Sequence, residues 1–196
     1  MALLVMPRLA RADSISADGP EPPARSPRTP CVTTSDYCHD GLYFRVSVLG
    51  LGYRAFVSSA GPGSTQSATL SALVAIGGTP VKGVVVGGLL GSDVAGAGDS
   101  VQAGAFVDWY PAPVGGWHTG IALEGVLLQT PYGTGWGPAA TVMAGYDAWV
   151  RSWYSVGLLA YGTAASPENL HDASGAQNGL RVASIEGTLA ISLVIH

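Results

Sequence analysis

Charge is what this chain has least of. Asp, Glu, Lys and Arg make up 11% of its 196 residues and hydrophobic types 47%, whereas an ordinary soluble domain carries about 25% charged residues. Something other than water must solvate much of the surface. Lys82 is the only lysine and the formal net charge is −4, so there is no basic patch for a polyanion and DNA and RNA are excluded as partners. Also missing is the unbroken apolar run of about 20 residues that a membrane helix requires. The longest uncharged segments, Ala55 to Val81 and Gly125 to Tyr146, are interrupted by Pro62, Pro80, Pro131 and Pro138 and are dense in Gly, Ser and Thr. Only helices and closed barrels satisfy every backbone group in lipid, which leaves a β-barrel as the membrane option.

Cysteine is nearly absent too. Cys31 and Cys38 are the only two, with six residues between them, and an oxidising compartment would join them in a small loop. A lipid anchor at Cys31 does not fit Arg28-Thr29-Pro30 before it, and a zinc site with His39 lacks ligands, so no metal and no cofactor is expected. The pair lies in a proline-rich stretch, residues 13–40, that has no apolar periodicity and reads as a periplasmic linker. Before it, residues 1–12 (MALLVMPRLARA) hold a short apolar run followed by Ala10-Arg11-Ala12, which fits the small-x-small rule for signal cleavage before Asp13. They read as the remainder of a truncated signal peptide, the alternative being an unstructured soluble N-terminus.

What the chain has in quantity is two-residue periodicity. From Val101 to Leu127, Val101, Ala103, Ala105, Val107 and Trp109 alternate with Gln102, Gly104, Phe106, Asp108 and Tyr110. After a turn at Pro111 to Gly116, Trp117, Thr119, Ile121, Leu123, Gly125 and Leu127 alternate with His118, Gly120, Ala122 and Glu124. This is a hairpin with one apolar face and one face bearing the polar groups. The same alternation marks a strand from Gly41, with a bulge near Val48 where the apolar series slips by one residue. It recurs over Gln66 to Gly77, Ala140 to Trp149, Tyr154 to Tyr161 and Ile185 to Ile195. Gly83 to Ser92 is apolar on both faces and cannot be oriented from its pattern.

About eight strands result, predicting an all-β fold over residues 41–196: a single antiparallel, up-and-down transmembrane barrel. Connections at Thr79, Pro111 and Arg151 read as short periplasmic turns. Those near Ser59, Ala95, Thr130 and Asp172 read as longer external loops, including QTPYGTGWG after Leu128 and Ser166 to Asn178. Trp109, Trp117, Trp149 and Trp153 flank the short turns as an aromatic girdle.

The phase assigns direction. Arg45, Gln102, Asp108, His118, Glu124, Asp147 and Glu186 are expected inside, because a charge facing lipid near the midplane costs about 2–4 kcal/mol for Arg or Lys. Val107, Trp109, Ile121, Leu123, Val142, Leu158, Leu189, Ile191 and Leu193 are expected outside. Arg45, Asp108 and Asp147 all stand near the predicted periplasmic strand ends and form a candidate salt-bridge cluster within a bore narrow enough for side chains to fill. Glu124 and Glu186 share the inward phase as a candidate carboxylate pair, but catalysis is not expected of them. His171-Asp172 and Asp99-Ser100 read as solvated loop residues, and Gly87-Gly88 and Gly115-Gly116 lack the strand-to-helix setting of a phosphate loop.

Three segments, HDGLYFRVSVLGLGY (His39 to Tyr53), FVDWYPAPVGGWHTGIALEG (Phe106 to Gly125) and AGYDAWVRSWYSVGLLAYG (Ala144 to Gly162), carry a resemblance. They are similar to the small OmpX/OmpA-like outer-membrane β-barrel proteins numerous in myxobacteria. The resemblance implies an outer-membrane location in a Gram-negative cell and no known catalytic residues. The chain departs from that pattern in ending Leu193-Val194-Ile195-His196 where such barrels commonly end in an aromatic residue. The expected function is a non-enzymatic outer-membrane barrel with a filled lumen, lipid around it, and external loops that contact an extracellular partner in a structural or adhesive role. The alternative is a soluble secreted barrel of the lipocalin type, with its apolar face inside around a small hydrophobic ligand. Burial direction separates the two.

Overall fold

The computed structural model describes residues 41–58, 64–112, 115–166, 169–172 and 174–196. The signal-like segment, the proline-rich linker and the Cys31/Cys38 pair lie outside them. Nine strands follow in chain order: β1 (Leu42–Ser58), β2 (Ser64–Val81), β3 (Val84–Ala95), β4 (Asp99–Trp109), β5 (Trp117–Thr130), β6 (Gly133–Arg151), β7 (Tyr154–Ala165), β8 (Asn169–His171) and β9 (Gln177–Ile195). Neighbours pair antiparallel from β1 to β7, β7 pairs with β9, and β9 returns to pair with β1. Eight long strands therefore close into a ring, which removes the free edges that an open sheet would expose. The three-residue β8 lies beyond the end of β7 and bonds to both β9 and β6, occupying the place of β7 in the wall.

Alternation governs the wall. Along β5, Trp117, Thr119, Ile121 and Leu123 are exposed while His118, Ala122, Glu124, Val126 and Leu128 are buried. The same two-residue pattern runs through β3, β4, β6, β7 and most of β9. β3 takes its direction from its partners: paired with β2 and β4, it buries Val85, Leu89 and Asp93 and exposes Val86, Leu90 and Val94.

In β1 the pattern is interrupted once. Ser47 pairs with Leu73 of β2, but the next pairing joins Gly50 to Ser71, so β1 carries one residue more than its neighbour. A matching shift against β9 falls between Val48 and Leu51. Leu49 takes up the excess with φ of +53°, the left-handed region that a leucine rarely adopts. Val48 and Leu49 both point outward, and every residue after them changes face.

The connections differ from expectation in three places. β2 runs through Thr79 and Pro80 to Val81, so the chain turns at Lys82-Gly83, where Gly83 has φ of +77°. The stretch after Leu128 is not a loop: β5 continues to Thr130, β6 starts at Gly133, and only Pro131-Tyr132 lies between them. Glycines in Gly133-Thr-Gly-Trp-Gly look like loop chemistry, yet the inward-facing Gly135 and Gly137 simply fill a strand position with no side chain. The Ser166 to Asn178 segment likewise contains β8 and the start of β9. Connections at the end expected to be external are therefore not uniformly longer than those at the other end. The Asp172 carboxylate organises the last outer turn, accepting bonds from Ser174 Oγ (2.6 Å), Ala176 N (3.0 Å) and Ser174 N (2.8 Å), which hold it below the usual carboxylate range. His171 Nδ1–H donates to the Gly175 carbonyl at 3.1 Å, so these two neighbours are turn-forming groups.

Close strand approach is enforced where Gly77 and Gly87 face each other across β2 and β3. A Cβ on Gly87 would collide with the Ile76 carbonyl oxygen and come within 2.6 Å of Gly77 Cα, whereas one on the outward-facing Gly125 meets nothing within 4 Å. Gly87→Ala is expected to lower stability by about 1–3 kcal/mol, and Gly125→Ala to stay within about 0.5 kcal/mol of the parent. Denaturant unfolding in detergent measures both; equal losses would contradict the packing described.

Candidate functional site

The bore is layered, as the inward residues of β5 show in sequence: His118 near the end that carries the Lys82-Gly83 turn, then Ala122, Glu124, and finally Val126 and Leu128. The lowest layer is ionic. Arg45 on β1 reaches across the lumen and lies 3.3 Å from Asp108 of β4 and 2.9 Å from Asp147 of β6, with all three side chains at most 2% exposed. Tyr110 accepts a hydrogen bond from Arg45 at 3.0 Å and donates one to Asp147 at 2.8 Å. His118 completes the layer, with Nδ1 2.9 Å from Asp108 and Nε2 3.1 Å from Arg45. A guanidinium can only donate and a carboxylate only accept, so the proton is on Nδ1 and Nε2 is the acceptor.

Tyr43 and Val85 pack at the level of this layer, Val85 paired with Asp108 and the Tyr43 ring under the Arg45 guanidinium, and above it an apolar layer fills the bore with Leu73, Leu89, Phe106, Met143 and Tyr161 among others. A second ionic layer lies beyond it. Arg54 donates through Nε to Glu186 at 2.6 Å and through Nη2 to Ser100 at 2.8 Å, and lies 3.0 Å from Asp93. The other oxygen of Glu186 accepts from Thr188 (3.0 Å), Thr69 (3.1 Å) and Ser71 (3.2 Å). Gln102 folds across the inward-facing Gly91, where a Cβ would come within 2.8 Å of its Cγ. The outer end is closed by Phe56, Leu128, Leu170 and Val182.

Seven polar residues assigned inward by phase, Arg45, Gln102, Asp108, His118, Glu124, Asp147 and Glu186, are all buried. The structure joins Arg45, Asp108, His118 and Asp147 in one network. It does not pair Glu124 with Glu186, whose partners are Arg54 and three hydroxyls. Glu124 stands apart at 7% exposure, and neither of its carboxylate oxygens has a hydrogen-bond partner among the described residues. Thr141 is the neighbouring hydroxyl; in its 2.8 Å bond with Thr163 either hydroxyl can donate, so Thr141 is able to accept there and turn its proton toward Glu124. Five carboxylates thus face two guanidiniums in the bore, and among the described residues no three His, Cys, Asp or Glu are grouped to hold a metal ion.

Trp109, Trp117 and Trp153 project outward near the short turns. Trp149 departs from the expected girdle: two residues beyond Asp147, it keeps the inward phase, and its ring packs 4.3 Å from that of His196 at the mouth beside the lower ionic layer. Tyr132 and Trp136 are exposed toward the opposite rim.

Arg54 and Asp93 are bore residues that the alternation does not single out at first sight. A signal for Arg54 exists, since Leu51 and Tyr53 fall on the apolar face after the bulge and so put Gly52 and Arg54 on the other. Asp93 has none, because its strand is apolar on both sides.

The class of protein defined by this geometry is an eight-stranded, closed antiparallel barrel with charges inside and apolar groups outside. No protein-family model and no curated protein matches the chain in sequence. Among solved structures, Neisserial surface protein A (NspA) is similar with a TM-score of 0.49 at 9% identity, over 80% of this chain and 97% of its own. The outer membrane protein OprG from Pseudomonas aeruginosa gives a TM-score of 0.38 at 11% identity, over 82% and 99%. Both likenesses concern the layout of the strands and not the residues that fill the bore.

Removing Arg45 would leave Asp108 and Asp147 buried without their cation. Arg45→Met is expected to cost about 3–5 kcal/mol, with much of the loss recovered when D108N and D147N are added. Glu124→Gln should cost far less, staying within about 1 kcal/mol of the parent, because the substitution keeps the shape of the side chain and strands no buried counter-charge. Equilibrium unfolding of these variants compares the two; a loss in E124Q as large as that in R45M would contradict the assignment of partners.

Proposed function

We propose that this chain is an outer-membrane β-barrel protein whose lumen is a packed ionic and apolar core, with the linker of residues 13–40 in the periplasm. The observation that carries the proposal is the direction of burial. Leu123 is 70% exposed beside Glu124 at 7%, and Leu158 is 55% exposed beside Leu159 at 0%. Val107, Ile121, Val142, Ile185, Leu189 and Ile191 continue the same exposed apolar surface around the ring. Soluble proteins rarely expose contiguous apolar patches beyond a few hundred Å², whereas a lipid-facing wall requires one. Outward aromatic rings near both ends match the two interfaces of a bilayer.

A soluble ligand-carrying barrel needs the opposite arrangement, with the apolar set inside. Here Asp108, Glu124 and Asp147 occupy that space, which argues against that alternative. Stacked ionic and apolar layers also argue against a conduit. The role that remains is structural or adhesive, exercised through the outer rim toward an extracellular partner.

Single cysteines at positions 123 and 124, placed in a cysteine-free background and reconstituted in vesicles, test the orientation with a lipid-soluble thiol reagent. Labelling of L123C but not of E124C is expected. The reverse pattern would overturn the membrane reading.

A further inference from the structure

Above the upper ionic layer the barrel mouth holds a cavity of about 750 Å³. Its floor is apolar: Phe56, Leu170 and Val182 belong to one buried cluster, with Ala97 and Leu180 packed against it. Leu170 is fully buried and is fixed there by β8, which bonds to strands on both sides. Ser67 lines the same cavity, and its hydroxyl is buried with no hydrogen-bond partner among the described residues. Among the described residues that line it there is no Asp, Glu, Lys, Arg or His.

We propose that this cup binds an uncharged amphiphile, its apolar body on Phe56, Leu170 and Val182 and its hydroxyl or amide head among the Ser and Thr groups of the wall. The volume falls in the range of about 300–1,000 Å³ that holds a small ligand, and the lining has the mixture of apolar surface and few polar groups such sites use. Charge is selected against from two sides. A charged head would lose water without gaining a counter-ion from the wall, and beneath the floor Arg54 is already shared by Glu186 and Asp93, so the net field there repels anions. The cup is also a dead end, since the floor separates it from the bore, which makes it a site of binding and not of passage. A ligand class is thereby added to the outer rim, and it holds whether or not lipid surrounds the outer wall.

The test uses the full chain in lipid nanodiscs with labelled Leu and Val methyls, titrated with 1-decanol and in parallel with decanoate. Decanol should give intermolecular cross-peaks to the methyls of Leu170, Leu180 and Val182, and should saturate them at a concentration at least about ten-fold below that of decanoate. Both should vanish in A97W, which places an indole in the cup from the β3–β4 turn. Unchanged methyl shifts elsewhere report an intact barrel, and T65W narrows the same cup should A97W not fold. Decanol cross-peaks confined to outer-wall methyls such as those of Leu123 and Leu189 would overturn the site. Equal binding of decanoate would overturn the uncharged class. Lipid-tail contacts to those outer methyls report the membrane reading separately.

Discussion

A strand shows the same face every second residue, and Arg45 and Arg54 stand nine residues apart on one strand. In a regular β1 they could not both face the bore; one would be driven into the apolar wall. The extra residue at Val48-Leu49 resolves this conflict, at the expense of a leucine with positive φ. Everything polar in the interior depends on it, because each guanidinium is the hub of one ionic layer. Arg45 ties β1 to β4 and β6, and Arg54 ties it to β3, β4 and β9. Since β1 is also the strand that closes the ring on β9, the same bulge joins the seam of the barrel to its electrostatic centre.

Ion pairs as deeply buried as these contribute little net stability, because desolvation offsets most of the attraction. Their effect is on register: a one-residue slip of any strand would expose a carboxylate outside and bury a leucine inside. The apolar layer of Phe106, Met143 and Leu159 separates the two ionic layers and lowers the dielectric around each. Glu124 is the exception to pairing, and with it the bore carries more acid than base.

Much of the fold is readable in the sequence, because apolar groups outside and charges inside impose the simplest pattern a strand can carry. Residues 101–127 show it on both sides of one turn, and from that phase the directions of Asp108, His118 and Glu124 follow. The upper ionic layer is not readable in the same way. Arg54 lies behind the bulge, where the phase must be recounted, and Asp93 lies in a strand whose two faces are equally apolar, so only its pairing with β2 and β4 orients it. Glycine misleads at Gly133 to Gly137, where it serves close packing and not a turn. β8 is too short for any periodicity to show, and its role rests on Leu170 reaching the cluster of Phe56, Leu128 and Val182. Trp149 illustrates the opposite error: its residue type suggests an interface, but its phase, two beyond Asp147, points inward.

The central claim is that the bore is a filled core. Water-filled channels come with about 16–18 strands, while about eight leave room only for side chains, and here two ionic and two apolar layers occupy it. Planar-bilayer recording of the purified full-length protein tests this most directly. A filled bore predicts a baseline without resolved steps across the usual range of voltage and salt; steady, reproducible single-channel steps from the wild type would contradict it.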